Sequence, residues 1–385
     1  MITLPSDALS SVRRRYWDRF LEIDSSKVNW PSHGAVQKKI SYDAIESLVW
    51  PECRSSCLVF VDGYFDESLS NCSALPDSIV RLPIEQAMTT YGILLQNRLS
   101  KELHEEKDSF AALNGAMQGR GLFLYLPPSV NLLAPVQILS ILSSDRLMAP
   151  RYQIFLGRNS RLDLIHTIHG SGMATDVLDV VMDSGSKLNI GDSTSLSADA
   201  RLFRSFRATL KKDAALSSFS TSNGASTLRQ SLNVYLCEPE ASAILLGLDC
   251  LRDERQSNTH VLVEHMAPHC HSRQHFKKVL HDKSRSLFAG TIRVEQAAQK
   301  TEAYQLSQNL ILSDTAAALA KPELEIFADD VKATHGATFS QLDPEEIFYC
   351  RSRGLSEIAA KDLLLQGFCR ELIDIIPIRA MRERL

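Results

Sequence analysis

No glycine in the chain is followed by lysine, so the GxxxxGK[ST] phosphate loop is excluded and any ATP-driven step must come from a partner. Gly170-Ser171-Gly172 has Thr175 where a third glycine would be needed and opens a strand, so it fails as a dinucleotide fingerprint. No GxSxG nucleophile elbow occurs either. A basic surplus is missing too: 42 Lys plus Arg face 46 Asp plus Glu, a formal net charge of -4, which argues against a nucleic-acid partner. The longest apolar run, around residues 130–142, is broken by Pro135 and Gln137. It falls short of the about 20 residues a membrane helix needs. The eight cysteines are dispersed over 385 residues without a CxxC pair, the usage of reduced thiols in a cytoplasmic protein. The N-terminus, MITLPSDALSSVRRRYWDRF, places its arginines after the apolar residues and lacks a small-residue cleavage site, so no signal peptide is read.

Three segments divide what remains. Residues 1–150 read as a helix-rich domain. Leu9, Val12, Trp17, Phe20 and Leu21 share a face from Ser6 to Ile23; Pro83 opens a second helix running to about Lys107, and Phe110 to Gly119 forms a third. Cys57 to Tyr64 is a short strand, and another follows Gly119 up to Pro127-Pro128. Residues 151–342 read as a β core. Short runs alternate with period two, and turn residues recur roughly every 11 to 15 positions. Asn-Gly and Asp-Gly dipeptides are nearly absent there, Asn223-Gly224 excepted, which favours wound coils over hairpins, with a sandwich or barrel still open. Leu202, Val234, Val263 and Ile326 are the expected inward residues. Residues 343–385 return to helix: Asp343 caps a first helix with Pro344 at its first position and Glu346 able to close a capping box. Ser356 caps a second, with Leu364, Phe368, Leu372 and Ile375 as its apolar stripe before Pro377.

Two clusters could carry chemistry. His260, His265, His269, His271, His275 and His281 surround Cys270, and imidazole with thiolate suits zinc or iron. The turn expected at Pro268 does not aim these side chains at one point, so strand packing and hydrogen bonding are their expected roles. The second lies in KPELEIFADDVKATHGATFSQLD, residues 321–343. Asp329 and Asp330, adjacent on a strand, point to opposite faces and are read as structural. His335 precedes Gly336, read as a turn leaving the strand. Cys350 and Cys369 are read as small buried apolar residues.

Four stretches carry a resemblance: DSFAALNGAMQGRGLFLYLP (108–127), APVQILSI (134–141), residues 260–313 from HVLVEHMAPHCHSRQHF to NLILS, and KPELEIFADDVKATHGATFSQLDPEEIFYCRSRGLS (321–356). They resemble the SufB/SufD family, scaffold subunits of SufB-SufC-SufD complexes that build iron-sulfur clusters, and within it the SufD members. SufB members share AQKT and FYC-x-x-RG, so a SufB-like paralogue is the alternative within the family; outside it stand a β-helix carbohydrate-active protein and a stand-alone metal-binding protein. The resemblance implies a right-handed parallel β-helix with helical flanks and no enzymatic activity of its own. It implies pairing with a SufB-like subunit through the β-helix, or with a second copy when alone, and with a SufC-like ATPase through the C-terminal helices. The isolated chain would carry no cofactor; the complex would hold a transient iron-sulfur cluster, and reduced FAD is a cofactor proposed for the family's complex whose binding the sequence leaves open. The family's HGAT histidine, here His335, would be a metal ligand at the interface shared with SufB. The cysteine the family often has two residues earlier is Ala333 here, which removes a thiolate.

Overall fold

A computed structural model describes residues 10–23, 40–92, 95, 106–117, 120–143 and 147–385. The period-two runs are strands of about ten residues, and each pairs in parallel with the strand two further along the chain instead of with its successor. One sheet stacks Cys57–Val61, Val136–Leu142, Arg161–Gly170, Lys187–Leu196, Ala215–Asn223, Ser242–Leu251, His271–Leu280, Thr301–Ile311 and Val331–Ser340 in that order. The other stacks Gly121–Leu126, Arg151–Leu156, Met173–Met182, Arg201–Leu210, Thr227–Leu236, Gln256–His265, Arg285–Val294 and Ala317–Ile326. The chain therefore winds as a parallel β-solenoid whose two sheets face each other across one core. Strands from 57–61, 121–126 and 136–142 belong to these same sheets.

In-register stacking turns each inward position into a continuous row. Val180, Ala208, Val234, Val263, Ile292 and Leu324 form one such row. Leu202, Val234 and Val263 are fully buried, as the alternation requires. Ile326 is 38% exposed. It occupies an inward row, above the buried Val294. Its strand is the last of its sheet, so no further coil covers it. Left-handed residues at the turns, among them Asp213, Asp253, His269 and Asp282, reverse the chain between sheets. The Asn223-Gly224 dipeptide is not a hairpin: Gly224 has φ +102, and a Cβ there would stand 1.7 Å from the Leu196 carbonyl oxygen of the coil beneath.

Helices α1 (Ser10–Ile23), α2 (Ile84–Thr90) and α3 (Ser109–Met117) belong to the N-terminal part. Pro83 is the N-cap of α2, one place before its expected position. The rest of the helix expected to reach Lys107 falls largely outside the described residues. The C-terminal helices are α4 (Pro344–Ser352), α5 (Glu357–Ile373) and α6 (Arg379–Arg382). Asp343 caps α4 by accepting the Glu345 amide at 2.8 Å, and Ser356 caps α5 by accepting the Ala359 amide at 3.2 Å.

The end of α5 and the segment after it lie on the outer face of the first sheet. Leu372, Ile373, Ile376, Ile378 and Met381 pack there on Phe219, Leu246 and Leu248. Gly191 supplies the clearance, since a Cβ at that position would meet Met381 Sδ at 2.4 Å. Lys277, fully buried, donates to the Phe368 carbonyl at 2.7 Å and pairs with Glu371, fastening α5 to the sheet. The apolar stripe differs from expectation at one end. Leu372 is buried, and Leu364 and Phe368 are half-buried, but Ile375 is exposed because α5 ends at Ile373 and Ile376 turns inward instead.

Candidate site at the open end of the solenoid

The six histidines of residues 260–281 are dispersed by the winding. His265 faces the core and is fully buried, its Nε2 2.8 Å from Ser272 Oγ, and burial lowers its pKa to about 4. His269 holds a turn at φ +61. His271 and His275 lie on the opposite sheet, His275 with Nε2 2.8 Å from Gln308 Oε1 and His271 near Glu302 at the exposed surface. Burial depresses the pKa values of His260, His275 and His281 as well. Cys270 is buried, its thiol pushed up to about 11. Among the described residues no three His, Cys, Asp or Glu side chains are grouped to hold a metal ion.

Asp329 and Asp330 lie in the turn between the two terminal strands. The backbone of Asp330 binds the neighbouring turn: its amide donates to Gln299 Oε1 at 2.9 Å, and its carbonyl accepts the Lys300 amide at 2.5 Å. Cys350 and Cys369 are half-buried, on α4 and α5, instead of fully enclosed.

His335 lies in mid-strand, not in a turn. Val331–Ser340 is regular and is the last strand of its sheet, and Gly336 is absent from the positive-φ residues. Glycine permits a break, yet here its φ lies outside the left-handed region, and a Cβ would make only an ordinary 3.4 Å contact with Leu306, so the strand runs on through it. In register, His335 pairs with Gln305 and so ends an inward row: Leu164, Ile190, Ser218, Leu245, Gln274, Gln305, His335. Apart from Ser218 the row is apolar as far as Leu245 and polar from Gln274 to the open end. His335 is exposed because no coil follows it. Ala333, two residues earlier and on the same side, contributes no donor atom. Between Val331–Ser340 and its neighbour Thr301–Ile311, Lys332 Nζ binds Glu302 at 2.9 Å and holds the Glu302 carboxyl below the ordinary range.

Behind His335 the row stays polar, a feature that residue type alone does not single out. Gln305 is 3% exposed and donates through Nε2 to Gln274 Oε1 at 2.7 Å, while its Oε1 has no partner. The signal was available: Gln305 falls on an inward position of the Thr301–Ile311 alternation.

Around this end the surface is rich in apolar groups. Leu319, Phe327 and Phe339 are exposed on or beside the terminal strands, and Phe348, Tyr349, Ile358 and Leu363 on α4 and α5. Exposed patches of this kind rimmed by polar residues mark interaction surfaces. The edges of Ala317–Ile326 and Val331–Ser340 each leave a row of backbone groups open to a further strand.

Sequence comparisons agree with this architecture. The family model described as SUF system FeS cluster assembly, SufBD core domain, matches residues 140–368, and that of the SufBD protein N-terminal region matches 39–138. An iron-sulfur cluster assembly SufBD family protein of Synechocystis is 29% identical over 369 residues, covering 90% of this chain and 80% of that protein. The iron-sulfur cluster assembly protein SufD of Escherichia coli is 34% identical over 176 residues, 46% of this chain and 42% of that one. A chloroplastic protein of Arabidopsis thaliana, ABCI7, is 26% identical over 359 residues, 86% of this chain and 73% of its own. With both of its regions matched and its strands wound as a parallel solenoid between helical termini, the chain belongs to the SufB/SufD family of iron-sulfur cluster assembly proteins.

Proposed function

We propose that the chain is a SufD-type scaffold subunit without catalytic activity of its own, assisting iron acquisition and the assembly of nascent clusters at an interface with a SufB-like subunit. The observation that carries this reading is the position of His335. It is the exposed end of an inward row, on a terminal strand whose outer edge is free. A neutral imidazole nitrogen is an iron ligand. With alanine at 333 and no other donor cluster among the described residues, this chain offers the cluster one ligand. The sulfur ligands then come from the partner, and neither chain completes the site alone. A SufB-like solenoid adding its strands to the open edges would bring them there.

The C-terminal helices fit the second partner. The end of α5 is spent on the chain's own solenoid, while Phe348 at 71% and Ile358 at 75% exposure, with Tyr349 and Leu363, face outward as anchors for a SufC-like ATPase. That partner supplies the nucleotide chemistry for which this chain has no phosphate loop.

The test is His335→Ala in the complex co-expressed with both partners. An exposed histidine contributes little packing, so folding and assembly should be unchanged while bound iron and sulfide fall strongly. A mutant complex that assembles and carries wild-type clusters would remove His335 from the site.

A further inference from the structure

We propose that Gln305 is a positioning residue for His335, fixing which imidazole nitrogen carries the proton and which is free to bind the cluster; the proposal rests on the reading of His335 as a ligand. The two residues are directly paired on adjacent parallel strands and belong to the same inward row. The Gln305 amide is held at its nitrogen end by the 2.7 Å bond to Gln274 Oε1. Its location is also fixed sterically. A Cβ on Gly290, in the facing sheet, would stand 2.3 Å from Gln305 Nε2, so the amide occupies space that only glycine leaves open. One atom of this clamped group remains unsatisfied: Oε1, buried and without a hydrogen-bond partner.

The facing wall offers His335 no competing polar side chain. One coil beyond Phe288 and Gly290, the residues in register are Ala320 and Pro322. A buried carbonyl oxygen without a donor is unfavourable, and His335 occupies the next place of the same inward row on the neighbouring strand. When His335 donates to Gln305 Oε1, the opposite ring nitrogen keeps its lone pair and turns to the open end. Metal-binding histidines are ordinarily oriented in this way by a partner on the other nitrogen.

The test uses the full-length chain labelled with 15N-histidine and long-range 1H–15N correlation spectra at pH 9, above the ordinary imidazole range. His335→Ala identifies the resonance. The wild type should show one dominant tautomer for His335. Gln305→Met, similar in length but without an acceptor, should give the mixture of an unrestrained imidazole, and Gln305→Glu should restore the single form. Gln305→Leu serves as a second acceptor-less variant should Met fail to fold. In the complex with SufB-like and SufC-like subunits, Gln305→Met should reduce cluster loading about 10-fold or more, the usual consequence of losing an outer partner of a metal-binding histidine. An unchanged tautomer in the acceptor-less variants overturns the positioning role even where His335→Ala abolishes loading. The reverse pattern, a tautomer change with clusters unaffected by His335→Ala, overturns the ligand reading and leaves Gln305 only an imidazole partner.

Discussion

Replacing His265 by leucine should flatten the acid side of the protein's stability curve. His265 ends its strand facing the core between Leu236 and Val294, all three buried. Burial lowers its pKa from 6.5 to about 4, with the nearby His271 adding to the effect. Between those two values the unfolded chain binds a proton that the folded chain refuses, so folding stability rises with pH across this window. The full contribution is present above pH 6.5 and is lost as pH falls towards 4. At about 1.4 kcal/mol per pH unit, the difference amounts to about 3 kcal/mol. Leucine continues the apolar row and removes the histidine partner of Ser272 Oγ and of Thr301 Oγ1, the latter keeping its bond to the Ala298 carbonyl. Urea unfolding of wild type and His265→Leu at pH 7.5, 6, 5 and 4.5 reads the effect as a difference of slopes, in which the carboxylates common to both proteins cancel. The wild type should lose about 2 to 3 kcal/mol more than the variant over this range. Equal slopes would refute the argument and reopen a ligand role for this histidine.

Leu372→Ala should lower stability by about 2 to 5 kcal/mol, measured by denaturant unfolding, because it removes a fully buried side chain from the contact between α5 and the outer sheet face. Truncation after Gln341 should likewise destabilise the solenoid, since it uncovers Phe219, Leu246 and Leu248; a truncated chain with unchanged melting would show that the helices ride on the sheet without supporting it. Tyr349→Ser combined with Ile358→Ser should weaken co-purification of a SufC-like ATPase at least 10-fold while circular dichroism and melting stay unchanged, because both side chains are largely exposed.

The parts of the fold legible in the sequence were those decided by neighbours along the chain. Alternation placed Leu202, Val234 and Val263 inside because every middle coil has a coil on either side. It could not place Ile326, whose alternation is identical and whose exposure depends on where the winding stops. The caps at Asp343 and Ser356 were readable because capping is local. The partners of the interior polar groups were not, since those that pair do so with residues about one coil away in sequence. Lys278 reaches Asp249, 29 residues earlier, and Ser257 and Thr259 on the facing sheet, all within 3.0 Å. Arg204 bridges Asp176 and Asp192 in the same manner. His335 was found as a residue type in a recognisable motif, but its setting was misjudged because Gly336 signals a turn only if its backbone needs one.

The winding also shows how an inward-row histidine can stay exposed at this end. In the middle of the solenoid a polar atom on an inward row finds its partner on an adjacent coil, as Gln274 Oε1 does with Gln305, or bears the cost of burial, as Gln274 Nε2 does. On the terminal coil that requirement lapses on one side, and a histidine can face inward while remaining available to whatever stacks next. Pro322 points the same way. It sits in the middle of Ala317–Ile326 without an N–H to offer, and such a residue is tolerated on an edge strand. It also removes a donor from that strand, so a partner that extends both sheets has the unbroken backbone of Val331–Ser340 as its better template. That is the strand carrying His335, so on the proposed reading a partner aligned on it would bring its own ligands to the imidazole in register.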